Sequence, residues 1–420
     1  MIRLFTLMVL LLAACAPQTI PPTPTRTPAP TPTRTTATAA PTPTATPAGP
    51  LTLRVWLPDV LAGLENVDAG DILADQISGF QAANPDVLVS LRLRASEGVG
   101  GILAALRATD AVAPSVMPDV TLLRYADFLA AVQAGLVARL DPADFPRFEA
   151  LYAPSVAAMA MVDGQRYGVP STIELIHVAS SEPLPTDSWR FEDVLAAQMP
   201  LLFPAARPSG ISDVFLLQYL TAGGEEVSSD SLELDETALR ATLRFYERAV
   251  DDDLIMPDVL EYDIPERYAA ALGEQVPAIV NAHLALEARR RGAALHYGYV
   301  PTLDGDATTL LDGWLWVITA EDGARQAAAR SFVNWMIAID RQAAYHAAID
   351  HLPAAYAAQR AVDADYAAFI APLVENAIIA TPAYSGGTLA RALQNAYAAV
   401  ISGQRTANDA LGAVLAQFGG

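Results

Sequence analysis

Five histidines occur in the chain, His177, His283, His296, His346 and His351. None stands in His-Glu-x-x-His or in another close pair with metal-ligand spacing. His346 and His351 are five apart, which does not align them on one helical face as a spacing of four would. No Gly-x-Ser-x-Gly elbow is present, because Ser385-Gly-Gly lacks the preceding glycine. Asp304-Gly-Asp306 followed by Asp312 has the outline of a calcium loop, but its sixth position is Thr309 and its twelfth Leu315, where an EF-hand needs glycine and glutamate. Asp304-Gly305 reads instead as a tight turn. Glu225-Glu226 and the run Asp251 to Asp253 have the residue types of glycosidase acids, yet contiguous acids in so acidic a chain form solvated loops. All 26 basic residues are arginine. The absence of lysine removes Schiff-base chemistry, a Walker-type phosphate loop and Ser-x-x-Lys hydrolysis together. Nothing specific to catalysis survives, and neither a metal nor a cofactor is expected.

The single cysteine, Cys15, excludes an intramolecular disulfide and any multi-cysteine metal site. Its surroundings point elsewhere. Arg3 is followed by an apolar run from Leu4 to Ala14, roughly half the ~20 residues that a membrane-spanning helix needs. Such a run behind a positive start reads as a secretory signal peptide over 1–14. Leu12-Ala13-Ala14-Cys15 resembles the bacterial lipoprotein signal, which implies lipidation of Cys15 and an extracytoplasmic chain anchored at the membrane surface. More than one acyl chain makes such attachment stable. From 15 to 50 the sequence is Pro, Thr and Ala with almost nothing else, so it lacks the periodicity to build a core and is expected to be a disordered linker of polyproline II character. At about 3.1 Å per residue it would reach on the order of 100 Å. With 47 acidic residues against 26 basic, the chain is unsuited to nucleic acid, which needs a basic face.

The remaining 51–420 is long for one core and favours two lobes. Leu51, Leu53, Val55 and Leu57 alternate as a strand, and Leu73, Ile77 and Phe80 share one helical face that stops at Asn84-Pro85. Val87, Val89, Leu91 and Leu93 alternate again, giving a βαβ unit and a parallel sheet. A short strand is expected over Asp119–Leu123, with a helix after it ending near Gly135. Leu239, Leu243, Tyr246 and Val250 mark another helix, and Phe332, Trp335, Met336 and Ile339 a further apolar stripe. Leu389 to Ile401 ends before Gly403, and Thr406-Ala-Asn-Asp409 has the form of a capping box. The alternation places the domain in the α/β class.

Read in order, this region resembles the extracellular solute-binding proteins of ABC importers, the family that includes maltodextrin-binding proteins. Phe80-Gln-Ala-Ala-Asn-Pro85 leading into Val87-Leu-Val resembles its helix-to-strand passage, and Met117-Pro-Asp-Val120 its "PDV" strand. Gly135-Leu-Val-Ala-Arg-Leu-Asp141 is similar to its "GLL..LD" turn, and Val162-Asp-Gly-Gln-Arg-Tyr-Gly-Val-Pro170 to "vdGk.YGvP". Ala222-Gly-Gly224, Asp312-Gly-Trp314-Leu-Trp-Val-Ile318, Phe332-Val-Asn-Trp335 and the closing Gly403 to Leu411 segment continue the series. Gly273 to Ile279 departs from the family's "GkaAM", having neither the lysine nor the methionine.

The resemblance implies a two-lobed periplasmic-binding-protein-like fold of type II that closes over a solute by a hinge motion. Lobe I would hold 51–140 and 300–350, and lobe II 141–299 and 351–420. A polyol cleft needs aromatic faces and a few rigid polar groups. The resemblance places Trp56, Trp314, Trp316 and Tyr384 as candidate aromatic faces, with Arg124 and Tyr125 following the "PDV" strand. Glu174 falls at a sugar-binding carboxylate position, while Asn281 and His283 fall at a cleft stretch whose family tryptophan is missing here. With only 5 tryptophans in the chain, the expected solute is mono- or disaccharide-sized. The implied function is capture without chemistry by a monomer, and delivery to the transmembrane subunits of an ABC permease. A ligand sensor or scavenger on the same fold is the second reading, and a surface glycosidase or esterase the third.

Overall fold

The computed structural model describes residues 49–63, 66–207, 210–224, 226–228, 231–265, 267, 276–381 and 387–418. Strand β1, Leu51–Pro58, is followed by a helix at Val67–Ala83 and by β2, Val87–Arg94. The helix begins where the Asn66 side chain accepts from the Asp68 N–H and stops at Asn84 before Pro85, burying Leu73 and Phe80. β1 and β2 pair in parallel with Leu51 opposite Val87, so the expected βαβ unit is present. β2 is an edge strand, and Leu93, expected inside, is exposed.

The chain continues through β3 (Val120–Arg124), β4 (Gly168–Glu174), β5 (Ile176–Ser180), β6 (Ala278–Asn281), β7 (His296–Gly298), β8 (Leu310–Ile318) and β9 (Leu352–Pro353). Among the described residues the first sheet has 7 strands, in the order β9-β4-β8-β3-β1-β2, with Ile378–Ile379 added alongside the start of β8. Its β2-β1-β3 part is parallel, as is the short pairing of Ile378–Ile379 with β8. β8 runs antiparallel to both β3 and β4, so the expected parallel sheet is a mixed one. The late strand β8 inserts between two earlier ones, a long-range pairing that local periodicity does not encode. The second sheet, β6-β5-β7, is antiparallel.

Two hydrophobic cores result. The first packs Phe80 edge-on against Phe332, with centroids 5.2 Å apart, beneath the first sheet. The second gathers Phe215, Tyr246 and Tyr397 from three helices, and Phe215 and Tyr397 stack at 4.3 Å. The helix Glu236–Asp251 supplies Leu239, Leu243 and Tyr246 to it from the expected face, each fully buried and each contributing roughly 1.5–3 kcal/mol of burial. The stripe from Phe332 divides: Gly323–Met336 ends before Ile339, which opens the next helix and is exposed. The second sheet lies between the cores. Val178 and Ile279, opposite one another, face the second core, while Ala179 and Val280 face the first. Residues from 145–175 and 352–374, expected in lobe II, contribute to the first core. Passage between the cores occurs at Glu174–Ile176 and at Leu310–Leu311.

Candidate ligand-binding site

Strand direction decides which side chains meet. β8 is antiparallel to its neighbours, so its first residues lie beside the last residues of β3 and β4. Asp312 is the direct cross-strand partner of Glu174, and Trp314 that of both Thr172 and Arg124. Because alternate residues share a face, Asp312 and Trp314 project together. The Arg124 Nε donates to the Asp312 carboxylate at 2.7 Å, bridging the diagonal. The charge of Asp312 raises the arginine's already high pKa further, against the effect of burial.

Two more elements converge on Glu174. β9 pairs with β4 through Leu352 and Ile173, which brings the preceding His351 within 3.9 Å of the Glu174 carboxylate. The β5–β6 pairing sets Asn281 opposite Ile176, just past Glu174. The Asn281 side chain caps the helix Ala282–Arg290 by accepting from the Leu284 N–H at 2.8 Å. His283, in that first turn, lies with its ring 4.3 Å from that of His351. Desolvation first, then the neighbouring His283, pushes the His351 imidazole down to about 3. It is therefore neutral at any ordinary pH. Asp350, at φ +55, holds this corner in the left-handed region and is gripped by the Arg290 guanidinium through bonds of 2.6 and 2.9 Å.

The second core contributes from the opposite side. Asp213 opens the helix Asp213–Thr221 and pairs with Arg207 at 3.4 Å. The charge of Asp312 raises its pKa and that of Arg124 lowers it. About half of its side chain (49%) still reaches water, yet protein surrounds the carboxylate closely enough for desolvation to raise its pKa.

Of the candidates from the sequence, Arg124, Glu174, Asn281, His283 and Trp314 thus come together, with Asn281 already engaged as a helix cap. Trp56, Tyr125 and Trp316 are placed in the first core, and Trp314, although level with Arg124 and Thr172, is buried in that core as well. Trp56 is 2% exposed with the Arg94 guanidinium 4.4 Å above its ring, and Tyr125 stacks on Phe128. Trp316 packs edge-on to Phe332 and lines a small internal cavity of about 20 Å³. Tyr384 and Cys15 lie outside the described residues. A larger cavity of about 390 Å³, between Phe145, Phe148, Ile337 and Ile339, is separate from this cluster. Sequence reasoning missed Asp213, Asp312 and His351 as site residues. For Asp312 a signal existed, since it shares strand parity with Trp314. For Asp213 and His351 there was none, because only tertiary contact brings them in. Among the described residues no group of three His, Cys, Asp or Glu side chains could hold a metal ion, and no helix is long and apolar enough to cross a membrane.

Comparison with known proteins agrees with this architecture. The Streptomyces glaucescens GLA.O GacH receptor, solved unliganded and with acarbose, is 18% identical, with a TM-score of 0.63 over 88% of this chain and 97% of that one. Maltose-bound T. maritima MalE3 is 17% identical, with a TM-score of 0.65 over 88% and 99%. The cyclic alpha-maltosyl-1,6-maltose binding protein from Arthrobacter globiformis is 16% identical, with a TM-score of 0.65 over 87% and 97%. At these identities the likeness shows the shared two-lobed α/β fold. No curated protein sequence matches the chain. The family described as "Bacterial extracellular solute-binding protein" matches residues 76–371, well over half of the 420 residues. The chain therefore belongs to the bacterial extracellular solute-binding proteins.

Proposed function

We propose that this protein captures a small carbohydrate-like solute between its two lobes and delivers it to the transmembrane subunits of an ABC importer, working as a monomer held to the membrane by a lipid on Cys15. The observation that carries the reading is the convergence of Arg124, Asp312, Glu174, His283 and His351 where the chain passes between the cores. The carboxylate of Asp213 is within electrostatic reach of Arg124 and Asp312. Carboxylates, a guanidinium and imidazoles fixed by their neighbours suit the hydroxyls of a neutral polyol. Acarbose- and maltose-bound neighbours of the same fold support a sugar over a peptide or an ion. The cluster performs capture and closure, without a reaction.

A thermal-shift screen of the mature chain against sugars, polyols, amino acids and peptides tests this. A solute that binds only the folded state adds ~2.7 kcal/mol of stability at a hundredfold over its dissociation constant. A shift from mono- or disaccharides is expected. A flat response to all of them, with a shift from peptides or polyamines, would overturn the carbohydrate reading, and hydrolysis of chromogenic glycosides would overturn the absence of chemistry.

A further inference from the structure

The helix Ala282–Arg290 starts from the second sheet and is fastened to the edge of the first. It follows β6 directly, and the Asn281 side chain at the end of that strand caps it. Both ends of the helix hold one corner of the chain, Ile349–His351, which leads into the edge strand β9. From the first turn the His283 Nδ1 lies 2.9 Å from the Asp350 carbonyl oxygen, and since a carbonyl only accepts, the imidazole donates. From the last turn the Arg290 guanidinium grips the Asp350 carboxylate with two bonds, Nε to Oδ1 and Nη2 to Oδ2, each of 2.6 Å. A bidentate pair of this kind fixes direction as well as distance. The adjacent Arg289 Nε donates to the Asp363 carboxylate at 2.6 Å, and Asp363 in turn caps the helix Ala364–Glu375. Asp350 itself stands at φ +55. A residue with a side chain persists in that region where its surroundings over-determine it.

We propose that the helix Ala282–Arg290 is a brace that sets the resting opening between the two lobes, with Arg290 and Asp350 as its positioning pair. The second sheet lies between the cores and β9 closes one edge of the first sheet, so a clasp from one to the other fixes their relative angle. Lobe motions are absorbed by a few residues at the ends of elements, through changes of φ and ψ. Asp350, left-handed at the entry to β9, has that place in the chain, and the two-bond grip restricts it. The inference concerns the protein without solute and stands apart from what the solute is.

The test is a distance measured between spin labels on the two lobes. Cys15→Ser removes the single cysteine of the chain, so labels can be placed at Asp110→Cys and Arg244→Cys, both exposed, on helices of the first and second cores. Pulsed electron resonance on this full-length, unliganded protein gives the reference distribution. Adding Arg290→Ala is expected to broaden it and move it to longer distances, while the urea midpoint shifts little. Asp350→Gly should do the same, because glycine takes a positive φ freely and only the carboxylate is lost. The two together should add nothing to either alone, since both remove one pair. Arg291→Ala takes the same charge from the end of the same helix but breaks only a pair with Glu287 one turn back, and should leave the distribution as it was. Arg290→Lys, which keeps the charge without the fork, should lie between. Unchanged distributions in Arg290→Ala and Asp350→Gly would overturn the brace, as would an equal broadening in Arg291→Ala. Loss of folding in both variants would show the pair to be structural alone and overturn it as well.

Discussion

Glu174 and Asp312 face one another as cross-strand partners, on strands that run in opposite directions from the junction of the two cores. Two carboxylates side by side repel unless each is given a counterpart. Arg124 supplies one to Asp312 at 2.7 Å, from the end of a third strand. The carboxylate pair and its arginine thus lie where the chain passes between the two cores.

Replacing Arg124 separates binding from stability. Its pair with Asp312 is half-exposed, so Arg124→Ala should cost no more than ~1 kcal/mol of folding free energy. It leaves Asp312 without its bridge, and sugar affinity is expected to fall tenfold or more. Denaturant melts beside calorimetry read the two effects apart, and equal losses in both would show the arginine to be structural.

Gly313 lies between Asp312 and Trp314, where a Cβ would overlap the backbone carbonyl oxygen of Thr172. Gly313→Ala therefore forces β8 away from β4, and a destabilisation of roughly 2–3 kcal/mol is expected. Since β8 carries Asp312, solute binding should weaken as well. An alanine variant that melts with the wild type would mean that this strand pair has more slack than its register indicates.

Acid should destabilise the fold before it titrates the carboxylates. His177 and His346 are fully enclosed, and burial pushes each imidazole down to about 4. The unfolded chain takes up their protons near pH 6.5, while the native state refuses them until about 4. Stability present above pH 6.5 is thus lost progressively as the pH falls toward 4, on the order of 3 kcal/mol for each histidine. Urea midpoints at pH 7.5, 6 and 5 measure it, and constant midpoints would contradict it.

Cys15→Ser should release the protein into the medium or periplasm with its sugar affinity unchanged. A tether raises the effective concentration of receptor at the permease without adding a contact. Mass spectrometry of the N-terminus and a titration of the released chain check both halves. A sharp loss of affinity on release would show the linker to be more than a passive leash.

Much of the first lobe was legible because its order is local. Alternation over Leu51–Leu57 and Val87–Leu91, with the Asn66–Asn84 helix between them, specifies a βαβ unit through side-chain period alone. The helix cap at Thr406 was equally readable. Trp56, Tyr125 and Trp316 have the residue types of a sugar platform, but residue type does not say on which side of a sheet a ring lies. In a sheet covered on both faces, alternate positions are all apolar and parity loses its meaning.

By itself, the sequence determined the class of the molecule: an α/β chain without catalytic or metal-binding spacing, acidic and free of lysine, with the landmarks of a solute receptor in order. Only the tertiary structure decided the site. Glu174, Asp312 and His351 lie far apart along the chain and meet because β8 inserts antiparallel beside β4 while β9 closes its other edge. Such register is set by long-range packing between strands. No local window carries it, since the free energy that selects it comes from burying both faces of the completed sheet.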